Sequence, residues 1–459
     1  MRRLAALALA FWLTAAAAPP DAEAWYEILG PDGQLIGFQV ERSSPTPEGL
    51  EVSRERQMRY RVEGHGITQM RSQLIRVYGP EGRLIRFRSE QQVGDSVVTF
   101  DGAVAAGNLV LSRVVGGRRV QRAVPWAAEA DLLDPLSVTQ GRADGFELAP
   151  DGLRIDRHVL RQVKQEDGQT LRLSYVDGRL TRVVLADANG ERLELPQLGY
   201  SLAVRRSDAP LSARHLANVK RLPHERWASP FFIPAAALRG QIRYQFGFRH
   251  GLSADLPQTG EQRVQQTDQG WQVDICETCG PDLASDAQSL ARWREPNAWI
   301  QSDAPEIRAA ARPAMHPGLS DTARMERLAR IARDRMAQPD FEGYYPARAA
   351  WKRRAGDCTE DALVLASLAR AAGIPARIAS GVTYSRTRYH GAANAFMPHA
   401  WVIAWVDGRW KSYDISLEGF DATHIALSLS DGEPGGYIEA MQLSALLDWQ
   451  GMREVRKRD

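Results

Sequence analysis

The chain has 459 residues, in which 58 lysines and arginines nearly balance 56 aspartates and glutamates and leave a formal net charge of +2. This length is enough for two or three domains that each bury a core. Because the basic residues are spread along the chain rather than clustered, the composition excludes a dedicated polyanion-binding surface, and we expect no nucleic-acid partner. The sequence leaves the oligomeric state open.

The N-terminal segment has the order of features of a secretory signal peptide. Residues 1–3 carry positive charge, residues 4–13 are apolar, and small residues follow up to an A-x-A cleavage pattern at 22–24. We therefore predict a signal peptide at 1–24 and a mature chain that starts at Trp25 in the periplasm or outside the cell. The apolar run is too short to span a bilayer, so we expect no integral membrane segment once the signal is removed.

Residues 25–205 are predicted to form an all-β domain with a curved antiparallel sheet. Short β-type runs are bounded by glycine, proline, aspartate and asparagine, and many carry a polar face, which predicts one water-facing side. One turn motif occurs twice, at 30–33 and at 79–82, with glycine, proline, an acidic residue and glycine in order. Because little beyond these turns matches, they predict two hairpins of one type rather than an internal repeat.

Residues 206–285 are predicted to hold a polar linker, near 205–224, and a small β module. The module contains Cys276 and Cys279 in a C-x-x-C arrangement. In an oxidising compartment this pair predicts a small structural disulfide, although a reduced or redox-active pair also fits the spacing. No histidine or further cysteine lies nearby at the spacing of a zinc site, so we expect neither a metal nor another cofactor.

Residues 286–452 are predicted to form an α+β catalytic domain, followed by a basic tail at 453–459. Helical patterning starts near Asp286, and a strong amphipathic helix starts near Thr322. The apolar positions of that helix are Met325, Leu328, Ala329, Ala332 and Met336. The last strand is expected at 424–430.

Cys358 lies at the start of a predicted buried helix, 359–372. Asp357 is a suitable N-cap for this helix, and Gly373 and Pro375 end it. Backbone amides at a helix start favour a thiolate over a thiol and offer donors to an oxyanion. The acidic residues that follow act in the opposite direction, so a partner base has to activate the thiol. The simpler interpretation is a cysteine that fills a small apolar space.

His399 and Asp414 are placed on one face of a predicted hairpin. An aspartate–glycine pair at 407–408 is typical of a two-residue turn between two strands. In that register His399 and Asp414 are diagonal neighbours, roughly 7–8 Å apart between backbones and within side-chain reach. Each residue alone is equally well explained as a strand end. His390, in the preceding loop, is the rival base, but nothing places it opposite a carboxylate.

A thiol, an imidazole and a carboxylate in this chain order are the groups needed for nucleophilic acyl chemistry. The segments around them resemble the transglutaminase-like superfamily of papain-like thiol enzymes, over roughly residues 290–430. The matching segments are Gly356–Glu360, Leu368–Arg377, His399–Trp401, Val406–Trp410 and Asp414. The resemblance implies that Cys358 is the nucleophile, His399 the base and Asp414 the orienting carboxylate. Ile415 departs from the proline or small residue that often follows in this family.

We expect an exported thiol enzyme that acts on amide or peptide bonds of a protein or peptide through a Cys358 acyl-enzyme intermediate. Hydrolysis, as in a protease or amidase, is favoured over crosslinking because water is the abundant acceptor. The alternative is a non-catalytic envelope binding or scaffold protein with a vestigial triad. An activated thiolate would be alkylated well below the free-thiol pKa of about 8.5, whereas ordinary thiol behaviour would favour the scaffold.

Overall fold

The computed structural model describes residues 22–62, 67–93, 96–115, 118–138, 144–149, 152–186, 191–195, 200–222, 227–339, 344–386, 393–417 and 419–455. Residues 1–21 of the expected signal peptide, His390, and residues 456–459 of the expected tail lie outside these ranges.

The strands are β1 Ala22–Leu29, β2 Leu35–Thr46, β3 Gly49–Val62, β4 Ile67–Tyr78, β5 Leu84–Val93, β6 Ser96–Ala105, β7 Asn108–Val115, β8 Arg118–Pro125, β9 Asp144–Leu148, β10 Ile155–Lys164, β11 Thr170–Val176, β12 Arg179–Ala186, β13 Glu191–Leu195, β14 Tyr200–Ser207, β15 Lys220–Leu222, β16 Trp227–Ala228, β17 Ile242–Phe248, β18 Gln262–Thr267, β19 Gly270–Ile275, β20 Gln338–Pro339, β21 Ala355–Gly356, β22 Ala376–Ser385, β23 Ala395–Val406, β24 Arg409–Tyr413, β25 Ile425–Ser430 and β26 Leu447–Glu454. The helices are α1 Ala235–Leu238, α2 Ala287–Arg292, α3 Pro305–Ala311, α4 Asp321–Arg335, α5 Ala347–Arg353, α6 Cys358–Ala371 and α7 Pro434–Ala445.

Strands β1–β14 form one antiparallel sheet, so the N-terminal region is mostly antiparallel β-sheet, as predicted. The strand order is β8-β7-β6-β5-β4-β3-β2-β1-β14-β13-β12-β11-β10-β9, so most strands pair with a chain neighbour and β1 pairs with β14. The two ends of the sheet approach each other, because Leu132, a few residues after β8, bridges to Phe146 in β9. The expected domain boundary at 205 falls inside β14, which runs to Ser207.

The two repeated turns close hairpins as the sequence predicts. At both turns the last glycine adopts the left-handed backbone, since Gly33 and Gly82 each have a φ of 70°. The hydrogen bonds are also equivalent: Gly30 N donates to Gln34 O at 2.9 Å, and the matching bond from Gly79 N has the same length. Glycine reaches this backbone region without strain, so one turn chemistry fixes both hairpins.

The predicted linker and β module are not a separate unit between the two larger parts. Strand β15 pairs in parallel with β3 of the N-terminal sheet, and β16 pairs with β23 of the C-terminal domain. The module sheet has the order β18-β19-β17-β26, so its fourth strand comes from the far end of the described chain. Strand β26 ends at Glu454 and therefore contains the first residues of the expected basic tail. Sequence periodicity is local and could not predict this long-range pairing.

The C-terminal domain packs helix α6 against a sheet of order β16-β23-β22-β25, with β24 also paired to β23. Helix α6 starts at Cys358 and ends at Ala371, one residue from the predicted bounds at each end. Helix α4 starts at Asp321, and the Ser320 hydroxyl caps it by accepting from Ala323 N at 3.2 Å. The expectation that β25 is the last strand is wrong, because α7 and β26 follow it.

Helix α6 forms the centre of the core of this domain. Apolar side chains cover its whole circumference, and they pack against α3, α4 and α5 as well as against β22 and β23. A helix that is apolar all round is stable only when it is buried on every side. The start of α6 is therefore held in a fixed position against β23.

Helix α7 connects the two larger parts by packing on β12 of the N-terminal sheet. Arg179 in β12 donates to Glu439 Oε2 in α7 at 2.8 Å and to Ser428 Oγ in β25 at 3.1 Å. The sheet and the C-terminal domain are thus in direct contact. Within the part of the chain that the structure describes, none of the helices is both long and apolar enough to cross a membrane.

Candidate active site

Cys358 is the first residue of α6, and the local sequence fixes this position. Asp357 is the N-cap, as predicted, and its carboxylate accepts from Thr359 N at 2.7 Å and from Thr359 Oγ1 at 2.6 Å. Glu360 completes a capping box by accepting from Asp357 N at 3.1 Å. Because the Thr359 amide donates to Asp357, it cannot serve as one of the oxyanion donors that the sequence predicts at this helix start.

The β23–β24 hairpin has the predicted register. Its turn residues at 407–408 are both left-handed, with φ of 50° and 81°. His399 Nε2 lies 2.8 Å from Asp414 Oδ2, so the expected diagonal contact is present. Both side chains are buried, with exposed fractions of 0% and 1%. Because Nε2 contacts the carboxylate, Nδ1 is the remaining ring nitrogen for proton exchange with a thiol.

Asp414 is held as a carboxylate by four contacts. Its Oδ1 accepts from Ser416 N at 2.9 Å and from Leu417 N at 3.3 Å. Its Oδ2 contacts His399 Nε2 at 2.8 Å and His424 Nε2 at 3.1 Å. Burial alone would raise the pKa of Asp414, but the charge of His399 and the hydrogen bonds from both rings hold this pKa well below its ordinary range.

His424 is a member of this cluster that the sequence did not single out. Its Nδ1 lies 3.1 Å from Asp421 Oδ1, on the side of the ring opposite Asp414. Burial would lower the pKa of His424, but the hydrogen bonds to Asp414 and Asp421 raise it to about 9. The sequence assigns His424 to a strand, and no local signal there shows that β25 pairs with β22 and so approaches the β23–β24 hairpin.

The ligand atoms of His399, Asp414 and His424 lie within 4.8 Å of one another. Two histidines and a carboxylate are a donor set that transition metals accept. Here, however, the shared oxygen Asp414 Oδ2 already contacts both rings at hydrogen-bond distance. A cation at Oδ2 would have to replace both contacts, so we assign the cluster to hydrogen bonding rather than to metal binding.

The sulfur of Cys358 lies against the strand that carries His399. Burial and the charge of Asp357 raise the pKa of this thiol well above its ordinary value, against a hydrogen bond from the Ala400 backbone that lowers it. The expectation that the helix start favours a thiolate is therefore wrong for the resting site. The reason lies in the tertiary structure. The fold removes the sulfur from water, with 6% of Cys358 exposed, and the charges of nearby carboxylates also oppose a thiolate.

Two acidic residues in the first turn of α6 lie close to this thiol. Burial and the charge of Asp357 raise the pKa of Glu360, whose carboxyl accepts from Tyr345 N at 2.8 Å. Burial raises the pKa of Asp361 to about 7, although Ser416 Oγ donates to its carboxyl at 2.6 Å. The charge of Asp361 also raises the thiol pKa of Cys358, as the sequence predicts for the acidic residues of this turn.

The two cysteines of the C-x-x-C motif are free thiols in the structure rather than the expected disulfide. The Cys279 sulfur lies 3.4 Å from the carbonyl oxygens of both Glu261 and Asp274, and its single S–H can donate to either. The Glu261 side chain in turn accepts from Ser412 N in β24 at 2.8 Å. The motif therefore lies against the strand that leads to Asp414, a position that the sequence did not predict.

A cysteine at a buried helix start, packed on the hairpin that carries a histidine–aspartate pair, is an arrangement typical of thiol enzymes. Residues 308–415 match the family model of the transglutaminase-like superfamily. The C-terminal part of the chain therefore carries a transglutaminase-like domain, and the matched range contains Cys358, His399 and Asp414.

Three solved structures share limited similarity with the chain. A candidate cysteine protease from Cytophaga hutchinsonii is 14% identical over 47% of this chain and 84% of its own, with a TM-score of 0.28. A β-barrel-like protein of a domain of unknown function from Brucella abortus is 10% identical over 40% of this chain and 95% of its own, with a TM-score of 0.28. A candidate protease from Parabacteroides distasonis is 12% identical over 76% of this chain and 69% of its own, with a TM-score of 0.18. At these scores the similarities carry no argument about function, and no curated protein matches the chain.

Proposed function

We propose that the protein is an exported thiol enzyme that hydrolyses amide bonds of proteins or peptides through a Cys358 acyl-enzyme. The observation that carries this proposal is the 2.8 Å contact between His399 Nε2 and Asp414 Oδ2. It occurs in a transglutaminase-like domain in which the Cys358 sulfur accepts a hydrogen bond from the backbone of Ala400, the residue after His399. A carboxylate that engages one ring nitrogen selects the tautomer and turns the other nitrogen to the thiol.

The proposed reaction has two half-reactions. In the first, Cys358 Sγ attacks the carbonyl carbon of the scissile amide, the thiol proton passes to His399 Nδ1, and the amine leaves with that proton. The product is a thioester on Cys358. In the second, His399 takes a proton from water, the hydroxide attacks the thioester, and the carboxylic acid leaves as Cys358 regains its proton.

The resting state of the nucleophile follows from its surroundings. Burial raises the pKa of Cys358, so the sulfur carries its proton until a substrate is bound. His399 then acts as a general base during the attack rather than as the partner of a preformed thiolate. Asp414 supports this step because it stays ionised and stabilises the imidazolium that forms.

The test is amide cleavage by the mature full-length chain on a panel of peptidyl amides. We expect Cys358→Ala and His399→Ala each to lower kcat/KM by about 10³-fold or more, with unfolding transitions close to that of the wild type. Cys276→Ala is the matched control, because it removes another thiol of the same chain and should leave turnover unchanged. Full turnover by Cys358→Ala would contradict the mechanism.

Hydrolysis and amine transfer share the thioester and differ in its acceptor. In ¹⁸O-labelled water, hydrolysis places the label in the carboxylate product, whereas an added primary amine diverts the product to a new amide if the enzyme is a crosslinker. We expect label incorporation that persists when the amine is present. Exclusive amide formation would favour crosslinking.

A non-catalytic envelope binding or scaffold protein is the second candidate, and the burial of the site favours it. Cys358 is 6% exposed and the His399 side chain is 0% exposed, so the resting structure offers little of either group to solvent. Because burial also raises the thiol pKa, a low alkylation pKa no longer separates the two candidates. Dependence of Cys358 alkylation on His399 does separate them, since an inert thiol does not need a base.

Export is part of the same proposal. Strand β1 already begins at Ala22, so the expected cut before Trp25 would remove its first three residues. The intact mass and the first residue of protein isolated from the periplasm or medium test this. We expect a mature form that starts at Trp25, and an uncut protein confined to the cytoplasm would contradict export.

A further inference from the structure

His424 contacts the candidate site, yet the proposed reaction does not use it. Its side chain is 0% exposed, and its two ring nitrogens contact two different carboxylates. Nε2 lies 3.1 Å from Asp414 Oδ2, and Nδ1 lies 3.1 Å from Asp421 Oδ1. A buried histidine between two acids needs a physical account, because the cluster is removed from water.

The number of donors on the ring decides its charge. A neutral imidazole has one N–H, whereas an imidazolium has two and can donate to Asp414 and Asp421 together. Asp421 N also lies 3.2 Å from His424 Nδ1. A neutral ring with a bare Nδ1 would accept a hydrogen bond from this amide. The imidazolium is favoured because a neutral ring would leave the buried Asp414 carboxylate and the partly exposed Asp421 carboxylate, 1% and 26% exposed, without a cation between them.

The groups that face His424 from all sides support a cation at this position. Asp414 and Asp421 contact its ring nitrogens, the His399 ring lies 5.9 Å away between centroids, and the carboxyl of Glu261, whose pKa burial raises to about 7, also interacts with it. A cavity of about 10 Å³ beside the ring, lined also by Trp401, has room for about one water molecule. No substrate group fits there, so His424 acts through Asp414.

We propose that His424 is a positioning residue of the site, an imidazolium held between Asp414 and Asp421 that keeps Asp414 ionised and turned towards His399. This role rests on the proposed function, because it reaches the reaction only through His399. Without the cation, Asp414 would lose one hydrogen bond and one favourable charge interaction, and burial would then raise the pH at which its carboxylate becomes protonated.

The charge is tested by ¹⁵N NMR of the full chain labelled at its nine histidines. His424→Gln identifies the His424 signals by their loss, with His424→Asn as the second choice if that variant does not fold. His158→Gln is the matched control, because His158 is also buried but lies in the N-terminal sheet. We expect both His424 ring nitrogens to carry protons at neutral pH. A ring with one bare nitrogen at neutral pH overturns the proposal.

The positioning role is tested by the pH profile of kcat. We expect His424→Gln to lower kcat about 10-fold or more with little change in KM, and to move the acid limb of the profile upward by about one pH unit. A merely structural role would lower thermal stability and leave the limb in place, which would overturn the proposal. The NMR result does not depend on turnover, so an inactive wild type would count against the proposed function alone.

Discussion

Two clusters of buried charged side chains, one in the N-terminal sheet and one in the C-terminal domain, balance their charges differently. In the N-terminal sheet, Arg54 and Asp134 form an ion pair at 2.7 Å with side-chain exposed fractions of 7% and 2%. Next to it, Arg56 Nε donates to Gln39 Oε1 at 2.9 Å. In the C-terminal domain, the single carboxylate of Asp414 contacts two imidazoles instead.

The difference shows that buried charge alone does not mark an active site. An arginine does not exchange its proton near neutral pH, so the Arg54–Asp134 pair acts structurally and holds β3 to the segment that follows β8. Imidazole is the side-chain group that ordinarily gains or loses a proton near neutral pH, and two imidazoles contact Asp414. Substitutions in the two regions should therefore separate loss of stability from loss of chemistry.

The largest effects come from replacing the central acid of each cluster. We expect Asp414→Asn to lower kcat/KM by about 10³-fold or more, because the amide cannot stabilise the imidazolium of His399. Asp134→Asn should leave the chemistry of folded molecules unchanged but destabilise the protein by about 3 kcal/mol, because it leaves the Arg54 charge buried without its carboxylate. Steady-state kinetics and chemical denaturation of both variants check this, and the reverse pattern would contradict the comparison.

The second prediction concerns Glu261, which joins the cysteine motif to β24. Burial raises the pKa of its carboxyl to about 7, from an ordinary value of 4.5. Because the folded-state pKa is raised, the stability that this group contributes is complete below pH 4.5 and is lost as the pH rises through about 7. Over this pH window we expect the wild type to lose roughly 2–3 kcal/mol of its free energy of unfolding. Glu261→Gln, which can still accept from Ser412 N, should not show this loss.

Thermal unfolding at several pH values measures this effect. Glu81→Gln is the control, because the Glu81 side chain is 73% exposed in the N-terminal sheet region. The control should keep the pH dependence of the wild type. Equal pH dependence in wild type and Glu261→Gln would show that Glu261 does not carry its proton inside the fold.

The third prediction tests the contact between the two regions. Arg179 Nη1 donates to Glu439 Oε2 at 2.8 Å, and Nη2 donates to Leu429 O at 3.1 Å, with 31% of the side chain exposed. We expect Arg179→Ala to lower the free energy of unfolding by about 1–2 kcal/mol. Arg205→Ala removes a 59% exposed partner of Glu27 and should change the free energy of unfolding by less than about 0.5 kcal/mol. Equal effects in denaturant titrations would contradict the assigned contact.

The smallest expected effect concerns two matched hairpin turns. Gly408 (φ 81°) and Gly107 (φ 74°) are each the second residue of a two-residue turn, and each has open space where a Cβ would stand. Alanine at either position should cost about 1 kcal/mol of stability through backbone strain. Only Gly408→Ala should also lower turnover, because its hairpin sets the His399–Asp414 register. Activity losses of the same size in both variants would contradict this.

The parts of the structure that the sequence predicted are those with local signals. Asp357 as N-cap and Gly373 after the helix placed α6 to within one residue at each end. The turn at 407–408 fixed the hairpin register and with it the contact of His399 with Asp414. Each of these signals acts within a few residues, so one sequence contains enough information to read it.

The parts that the sequence did not predict depend on contacts between distant segments. Strand β26 joins the module sheet through pairs such as Tyr244 with Met452, more than two hundred positions apart. His424 reaches Asp414 only because β25 pairs with β22. The thiol pKa of Cys358 is raised by burial, which the helix start alone does not reveal. No pattern within either segment records such pairings.

The most direct measurement is the rate at which iodoacetamide modifies Cys358 in the wild type and in His399→Ala, followed by peptide mass spectrometry between about pH 6 and pH 9. Cys276 and Cys279 serve as internal references in the same protein. At neutral pH we expect Cys358 to react about 10-fold or more faster in the wild type than in His399→Ala, with unchanged reference rates. Equal Cys358 rates in the two proteins would contradict a nucleophile that His399 activates.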